Sequence, residues 1–408
     1  MTKSITTRVT AISNRTEPLL GSGGGGAAQL GKVWRWGSDN MLPYALSLLA
    51  RRSVAHRRII NDKADYIAGK GVVCDEHVAL LDHLVGSANG RGETMRSVIA
   101  RLAMDEAMFG NAFMEVVTDV KHSFLSFYHI DASKCRLASD SPSVVIHHNW
   151  SSFNAAEAKT LPLYPRFDAF GDGTLRAVVH YKDYEPMFSH YGVAPYIAGL
   201  DAAAIVYKTD RWNISRIDNS FQLSGVMMLD GVVDSEDEAD RLVRTAEEKF
   251  GGHPGQVLFV LRGDKSSDST SRFIPIDTAS DGDWQSLHSQ AESDLVVAHS
   301  WFRSLSGLDY ASGFSTDRIL QEYEVALNTV ILPKQEQLLE PMRAIIFEVL
   351  GIDASSLEIV NCPPMRSKPQ YMRVWEARKA DGLEYDETDP EQQRFLAELV
   401  RSAGTSKA

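Results

Sequence analysis

Residues 283–315 read DWQSLHSQAESDLVVAHSWFRSL and then SGLDYASGFS. In the first part Trp284, Leu287, Ala291, Leu295, Ala298, Phe302 and Leu305 recur in steps of three and four. That spacing lays one apolar stripe along an α-helix, with Asp283 as its N-terminal cap. The second part, Ser306–Ser315, is a glycine- and serine-rich loop, and beyond it Ile319, Leu320, Tyr323, Leu327, Val330 and Ile331 open another helical pattern. Pro333 and Pro341 lie in its continuation. Proline lacks an amide hydrogen and crowds the carbonyl four residues back, so the spacing predicts a kink or break before Leu350.

Upstream, Ser235 and Glu238 form a capping box, and Glu236, Asp237 and Glu238 complement the positive end of a helix. Ala239, Leu242, Val243, Ala246 and Phe250 share its stripe until Gly251-Gly252 stops it. Two short β patterns, Val257–Leu261 and Arg272–Ile276, lie between the two helices and are joined by a polar tip, Arg262–Ser271. They read as a small hairpin-like excursion.

The N-terminal half mixes elements. Helical spacing runs through Leu42, Leu46 and Leu49, with Pro43 in a first turn, and again through Ile59, Ile60, Ala64 and Ile67 to caps at Gly69 and Gly71. A helix is expected over Thr94–Phe109, and strands over Ala112–Val117, Phe124–Ile130, Val144–Trp150 and Leu175–Tyr184. A helix over Pro195–Ser220 and a short strand at Gly225–Leu229 complete this half. Strands and helices do not alternate regularly, so the class is α+β rather than doubly wound. Residues 1–32, which close on a glycine run at 21–26, read as a flexible arm. The tail after Asn361 carries four prolines among many charges, with a helical pattern near Glu391–Arg401.

A chain of 408 residues has room for about two or three compact modules. Hydrophobic residues at 44% and charged residues at 24% exclude wholesale disorder. Lys plus Arg is 42 against 54 Asp plus Glu, a net charge of −12. Such an acidic chain argues against a sequence-specific DNA binder, which needs a basic surface to displace counterions. Cys74, Cys135 and Cys362 lack CxxC spacing, so neither a disulfide framework nor a zinc site is encoded, and a reducing compartment fits. No uncharged apolar run has membrane-spanning length, and the chain reads as soluble.

Catalytic motifs are missing. Residues 26–33, GAAQLGKV, come within one residue of a phosphate-binding loop, but Val33 stands where a hydroxyl would bind magnesium. A nucleotide-binding enzyme built on this segment is the alternative reading. His147 and His148 are neighbours in an expected strand, so they should point to opposite faces and not share an ion. Aspartates over Asp277–Asp283 read as a loop and helix cap. There is no HExxH and no GxSxG. The expectation is no enzyme, no catalytic residue, no metal and no cofactor.

Several weak motifs in one order carry a resemblance. Residues 38–43, SDNMLP, precede the first helix; Ser53–His56 through Ile67–Gly71 follow; Gly110-Asn111-Ala112 enters a strand. Tyr191–Pro195 precedes the alanine-rich helix, Phe221–Gly225 a hydrophobic strand, and Phe302 through Gly313–Ser315 the long helix with Ile331–Pro333. Over roughly Trp34 to Leu350 this series resembles bacteriophage portal proteins of the HK97-like type, the head-to-tail connectors of tailed phages. The chain departs from many relatives at Arg303–Ser306, where they carry a proline pair, and its short tail leaves at most a reduced helical crown.

The resemblance implies a portal fold with a mixed α/β wing, helical stem, small β clip and a long kinked helix after a tunnel loop. The arm would be 1–32, the wing 33–233 and 316–360, stem helices 234–250 and 284–305, the clip 251–283, the tunnel loop 306–315 and the tail 361–408. Leu308, Asp309, Tyr310, Ser312 and Phe314 would face DNA. Val257, Phe259, Leu261, Phe273, Ile274 and Ile276 would make clip contacts, and Leu242, Ala246, Trp284, Leu287 and Leu295 would build the stem. Implied partners are further copies in a dodecameric ring, double-stranded DNA passing non-specifically, the terminase large subunit, a head–tail adaptor, and the major capsid and scaffold proteins. The implied location is the virion vertex, after assembly in the host cytoplasm. A non-ring virion adaptor or scaffold is a further alternative. One physical feature agrees with the tunnel reading: Ser304 to Asp317 contains no Lys or Arg, as a channel that must not hold phosphates requires.

Overall fold

The computed structural model describes residues 29–30, 32–74, 79–218, 225–230, 257–262, 272–274, 281–308, 316–364, 373–380 and 384–395. Strands β1 (Gln29–Leu30) and β2 (Val33–Trp34) pair ahead of helices α1 (Leu42–Arg52) and α2 (Val54–Ala68). Next come β3 (Gly71–Val73), α3 (Ala79–Gly86) and α4 (Met95–Phe109). A β-rich middle holds β4 (Asn111–Asp119), β5 (Leu125–Ile130), β6 (Cys135–Leu137), β7 (Ser143–Ile146), β8 (Lys159–Pro162), β9 (Asp168–Ala169) and β10 (Thr174–Lys182). Then follow α5 (Leu200–Asp218), β11 (Gly225–Asp230), β12 (Val257–Arg262), β13 (Arg272–Ile274), α6 (Asp281–Ala298), α7 (Thr316–Ala326), α8 (Leu332–Leu350), β14 (Glu358–Val360) and α9 (Val374–Ala380). The class is α+β.

Helix α4 shows how local signals and packing agree. Thr94 caps it by accepting from the Ser97 amide, and Gly110 ends it with φ +64. Between them Met95, Val98, Ile99 and Leu102 are fully buried against Met114, Val116 and Phe127 of the sheet β5-β4-β10-β9. Leu338, Met342, Ile345 and Ile346 of α8 close the same core. Each such side chain removed from water contributes about 1.5–3 kcal/mol. The register from Thr174↔Asp119 to Lys182↔Asn111 makes β4 and β10 the spine of that sheet. A second core gathers Trp36, Leu46, Phe109, Phe113, Tyr191 and Tyr196; a third joins α2, α5, α6 and α7. Strand β14 returns to pair with β3, tying the end of the long helical segment to the N-terminal half.

Four expectations are corrected. The strands at 257–262 and 272–274 do not pair with each other: β11 lies between them, parallel to β12 and antiparallel to β13. With β11 between them, β12 and β13 share no ladder, so they form no hairpin. The stem helix expected to Leu305 stops at Ala298, because Ser300 adopts φ +50 and the Trp301 amide turns back to the Val296 carbonyl at 3.2 Å. The three-and-four stepping runs on through Phe302 and Leu305, but the chain has already reversed. Pro333 sits in the first turn of α8, preceded by a π-turn at Leu327–Ile331 that resets the hydrogen-bond ladder. Pro341 does not end α8, since buried Leu338, Leu339, Met342 and Ile345 on either side outweigh its cost of about 3 kcal/mol. Among the described residues the tail has one helix, Val374–Ala380, and residues 391–393 form a turn; the remainder of the expected Glu391–Arg401 helix, beyond Phe395, lies outside them.

The three cysteines are free, and no described helix is long and apolar enough to cross a membrane. The stem residues Leu242 and Ala246, clip residue Ile276, loop residues Asp309, Tyr310, Ser312 and Phe314, and most of the arm lie outside the described residues.

Candidate functional site

Both roots of the loop 309–315 are described, and both are anchored in the third core. After α6 the chain folds back so that the buried Trp301 donates its indole N–H to Ser306 Oγ at 3.1 Å. The Leu308 amide donates to the Arg303 carbonyl at 3.0 Å. Leu305 and Leu308 are each 5% exposed, packed with Ile319 and Tyr323 of α7. Tyr66 of α2 bridges the roots, its ring 5.8 Å from that of Trp301 and 5.6 Å from that of Tyr323. Leu308 is thus placed in the core at the loop's base, not at an exposed tip.

The charges around the roots are satisfied locally. Arg303 donates to Glu292 at 2.8 Å, Arg318 to Glu322 at 2.7 Å, and Ser304 also bonds Glu322. The two arginines that bracket the cation-free stretch therefore each hold a carboxylate.

Of the stem residues, Leu295 is fully buried, Trp284 stacks on Trp212 of α5 at 4.8 Å, and Leu287 is 41% exposed. The clip strands are placed by backbone register: Val257, Phe259 and Leu261 lie opposite Gly225, Met227 and Leu229, while Phe273 and Ile274 lie opposite Met227 and Val226. The third member of this sheet, Gly225–Asp230, lies in the range that the resemblance assigns to the wing. Its β pattern was visible, but nothing local named its partners.

Two enzyme-like segments resolve differently from each other. Lys32 sits between β1 and β2, exposed and 3.6 Å from Asp140, with no helix opening behind it as a phosphate-binding loop requires. His147 and His148 do not point apart. Strand β7 ends at Ile146, the two rings lie 4.6 Å apart, and Glu157 Oε2 is 4.0 Å and 3.7 Å from their nitrogens. Backbone N–H groups address both nitrogens of the buried His147 ring, Asn149 at Nδ1 at 3.1 Å and Asn154 at Nε2 at 3.4 Å. The Asn149-Ser151 turn, with Asn149 Oδ1 accepting from the Ser151 amide, was the local signal that the strand had ended.

A buried charge cluster had no linear signature. Lys334 at the start of α8 reaches both Glu106 of α4 and Asp183 after β10, partners 228 and 151 residues away. Burial pushes the Glu106 carboxyl above the ordinary range, although Lys334 pulls the other way. The cluster locks α8 to the central sheet and to α4.

No family profile and no curated protein matches the chain. Solved structures do. A chain from the neck of an empty gene transfer agent particle, computed with C6 symmetry, superposes with a TM-score of 0.54 at 14% identity, covering 84% of this chain and 94% of that one. This chain shares its fold with a gene transfer agent neck chain. The native neck computed with C12 symmetry gives a TM-score of 0.51 at 14% identity, over 84% of this chain and 95% of that one. The chain also matches the crystal structure of an HK97 family phage portal protein from Corynebacterium diphtheriae at 13% identity and a TM-score of 0.46, over 78% of this chain and 96% of that one. The structural match therefore runs over most of the chain and nearly the full length of the gene transfer agent neck chain.

Proposed function

We propose that copies of this chain close into a ring at a virion neck and conduct double-stranded DNA without hydrolysing anything. The observation that carries this reading is the near full-length likeness to chains of a neck reconstructed with C12 symmetry. In this reading 33–233 and 316–360 form the wing, 234–250 and 284–305 the stem, 251–283 the clip and 306–315 the tunnel loop. Residues 1–32 are an arm, and 361–408 a tail or reduced crown. The clip meets the terminase motor first and a head–tail adaptor later, and the wing meets capsid and scaffold.

Two physical features support the assignment. The neutralised roots and cation-free stretch of 304–317 suit weak contact with passing phosphates. In the sheet β12-β11-β13 the outer strands are β12 and β13, and outer strands are templates for pairing with a neighbouring subunit. Because Gly225–Asp230 pairs with both outer strands, this reading moves it from the wing range to the clip.

Negative-stain imaging of the purified full chain tests the proposal. Rings with an axial hole wide enough for a duplex support it. Particles without a pore over a wide range of salt and protein concentration would overturn it, in favour of an adaptor or scaffold.

A further inference from the structure

Helix α6 ends, and the strap that roots 309–315 begins, beside an unusual buried group. His299 Nε2 lies 2.9 Å from Nδ1 of His56 on α2, and the two residues are 1% and 0% exposed. Lys63, two turns along α2, is also buried and donates Nζ to the His299 carbonyl at 3.1 Å. Tyr196 covers the pair, edge-on to His56 at 4.4 Å and stacked on His299 at 4.7 Å. Its hydroxyl is committed to the Met108 carbonyl at 2.7 Å, so it serves neither imidazole.

The outward nitrogens, His56 Nε2 and His299 Nδ1, are buried without a hydrogen-bond partner. In a pair of neutral imidazoles one ring donates to the other, which leaves one outward N–H and one outward lone pair facing nothing, whichever ring donates. The pair therefore holds at a cost, and it has nothing with which to stabilise a charge. The charged groups that act on it are Lys63 and Arg57, both on α2. The carboxylates that act on Lys63, Glu106 and Asp183, are already engaged by Lys334. Neither imidazole has a carboxylate partner among the described residues.

We propose that His56, His299 and Lys63 form a proton-operated latch that, when neutral at the histidines, holds the end of α6 and the strap 299–308 on α2, and when protonated releases them. Adding a proton would bury a second cation beside Lys63 with no anion to offset it, and the cheapest relief is to move His299 away. The direction follows from the linkage. Burial, aided by Arg57, lowers the His56 pKa from 6.5 to about 4, and burial with His56 and Lys63 takes His299 well below its usual value. A histidine depressed in the closed state contributes stability above pH 6.5 that is lost as the pH falls toward 4. For His56 alone, the closed-to-open ratio falls about 30-fold between pH 7.5 and pH 5. The latch depends only on these contacts, not on the ring.

Hydrogen exchange with mass spectrometry on the full chain, corrected for intrinsic rates, tests it at pH 7.5 and 5.0. Peptides over 295–308 should exchange about 30-fold faster at pH 5.0, while those over 338–350 of α8, which carry no histidine, stay unchanged. In the double variant His56→Gln/His299→Gln, whose side chains stay neutral at both values, that response should vanish. Should this variant not fold, Lys63→Met reports instead, because losing the cation lets His299 protonate in place, which weakens the response and moves the opening midpoint to lower pH. Protection of 295–308 that ignores pH in the natural chain, an undiminished response in His56→Gln/His299→Gln, or an unmoved midpoint in Lys63→Met would each overturn the latch.

Discussion

Replacing Gly110 by alanine should harm this protein far more than the same change at Gly351, although both glycines cap a helix in the left-handed region, with φ +64 and +66. The conformational cost is common to both, about 1–2 kcal/mol for a Cβ in that region. The surroundings differ. A Cβ at Gly351 meets nothing within 4 Å, whereas at Gly110 it would sit 2.1 Å from the Val193 carbonyl oxygen and 2.6 Å from its carbon. Ordinary contact demands that Val193 retreat by about 1 Å or more. That segment is held by paired bonds: Asn111 Nδ2 donates to the Gly192 carbonyl, and the Gly192 amide to Asn111 Oδ1, each at 2.8 Å. The Asp183 amide adds a bond to the Gly110 carbonyl at 3.1 Å. Losing two of these in a buried site costs about 1–3 kcal/mol each. Gly110→Ala should therefore lose about 3–8 kcal/mol and Gly351→Ala about 1–2 kcal/mol. Urea unfolding followed by far-UV circular dichroism reads the difference as a shift in midpoint at constant slope. Equal shifts in the two variants would refute the steric account and leave only the dihedral strain.

Lys334→Met should destabilise by about 3–5 kcal/mol at pH 8, because Glu106 and Asp183 then lack their cation. Glu106 is raised by burial against the pull of Lys334, so without Lys334 it rises further; the penalty grows with rising pH and shrinks toward pH 5, and equal losses at pH 5 and 8 would contradict this. Leu308→Ala should cost about 2–5 kcal/mol by opening a cavity at the loop's base, seen as faster protease nicking near 309–315 at unchanged secondary structure. Asp309→Lys with Ser312→Lys should slow DNA packaging by adding phosphate attraction in the proposed channel; unchanged packaging rates would remove that reading of the loop.

Several elements were legible because their determinants are local. The apolar steps of Met95, Val98, Ile99 and Leu102, with Thr94 before and Gly110 after, specify a helix and its two ends within one stretch of chain. Extended patterns at 111–119, 125–130 and 174–182 were equally plain, since buried β residues announce themselves wherever they pair. The end of α6 was misread because an apolar stripe continues past the residue at which the backbone reverses. Ser300, with its positive φ, carries no side-chain signature that distinguishes it from a helical serine.

By itself the amino-acid order determined the class, the helix–loop–helix frame around 283–350, and a cation-free stretch at 304–317, because propensity, periodicity and charge act over neighbouring residues. Tertiary structure alone decided that β11 separates β12 from β13, that Leu308 is a root, and that His147 and His148 converge on Glu157. It alone brought His56 and His299 together across 243 residues. The reason is physical: a local pattern states that a face must be covered, and only the folded chain selects which distant segment covers it.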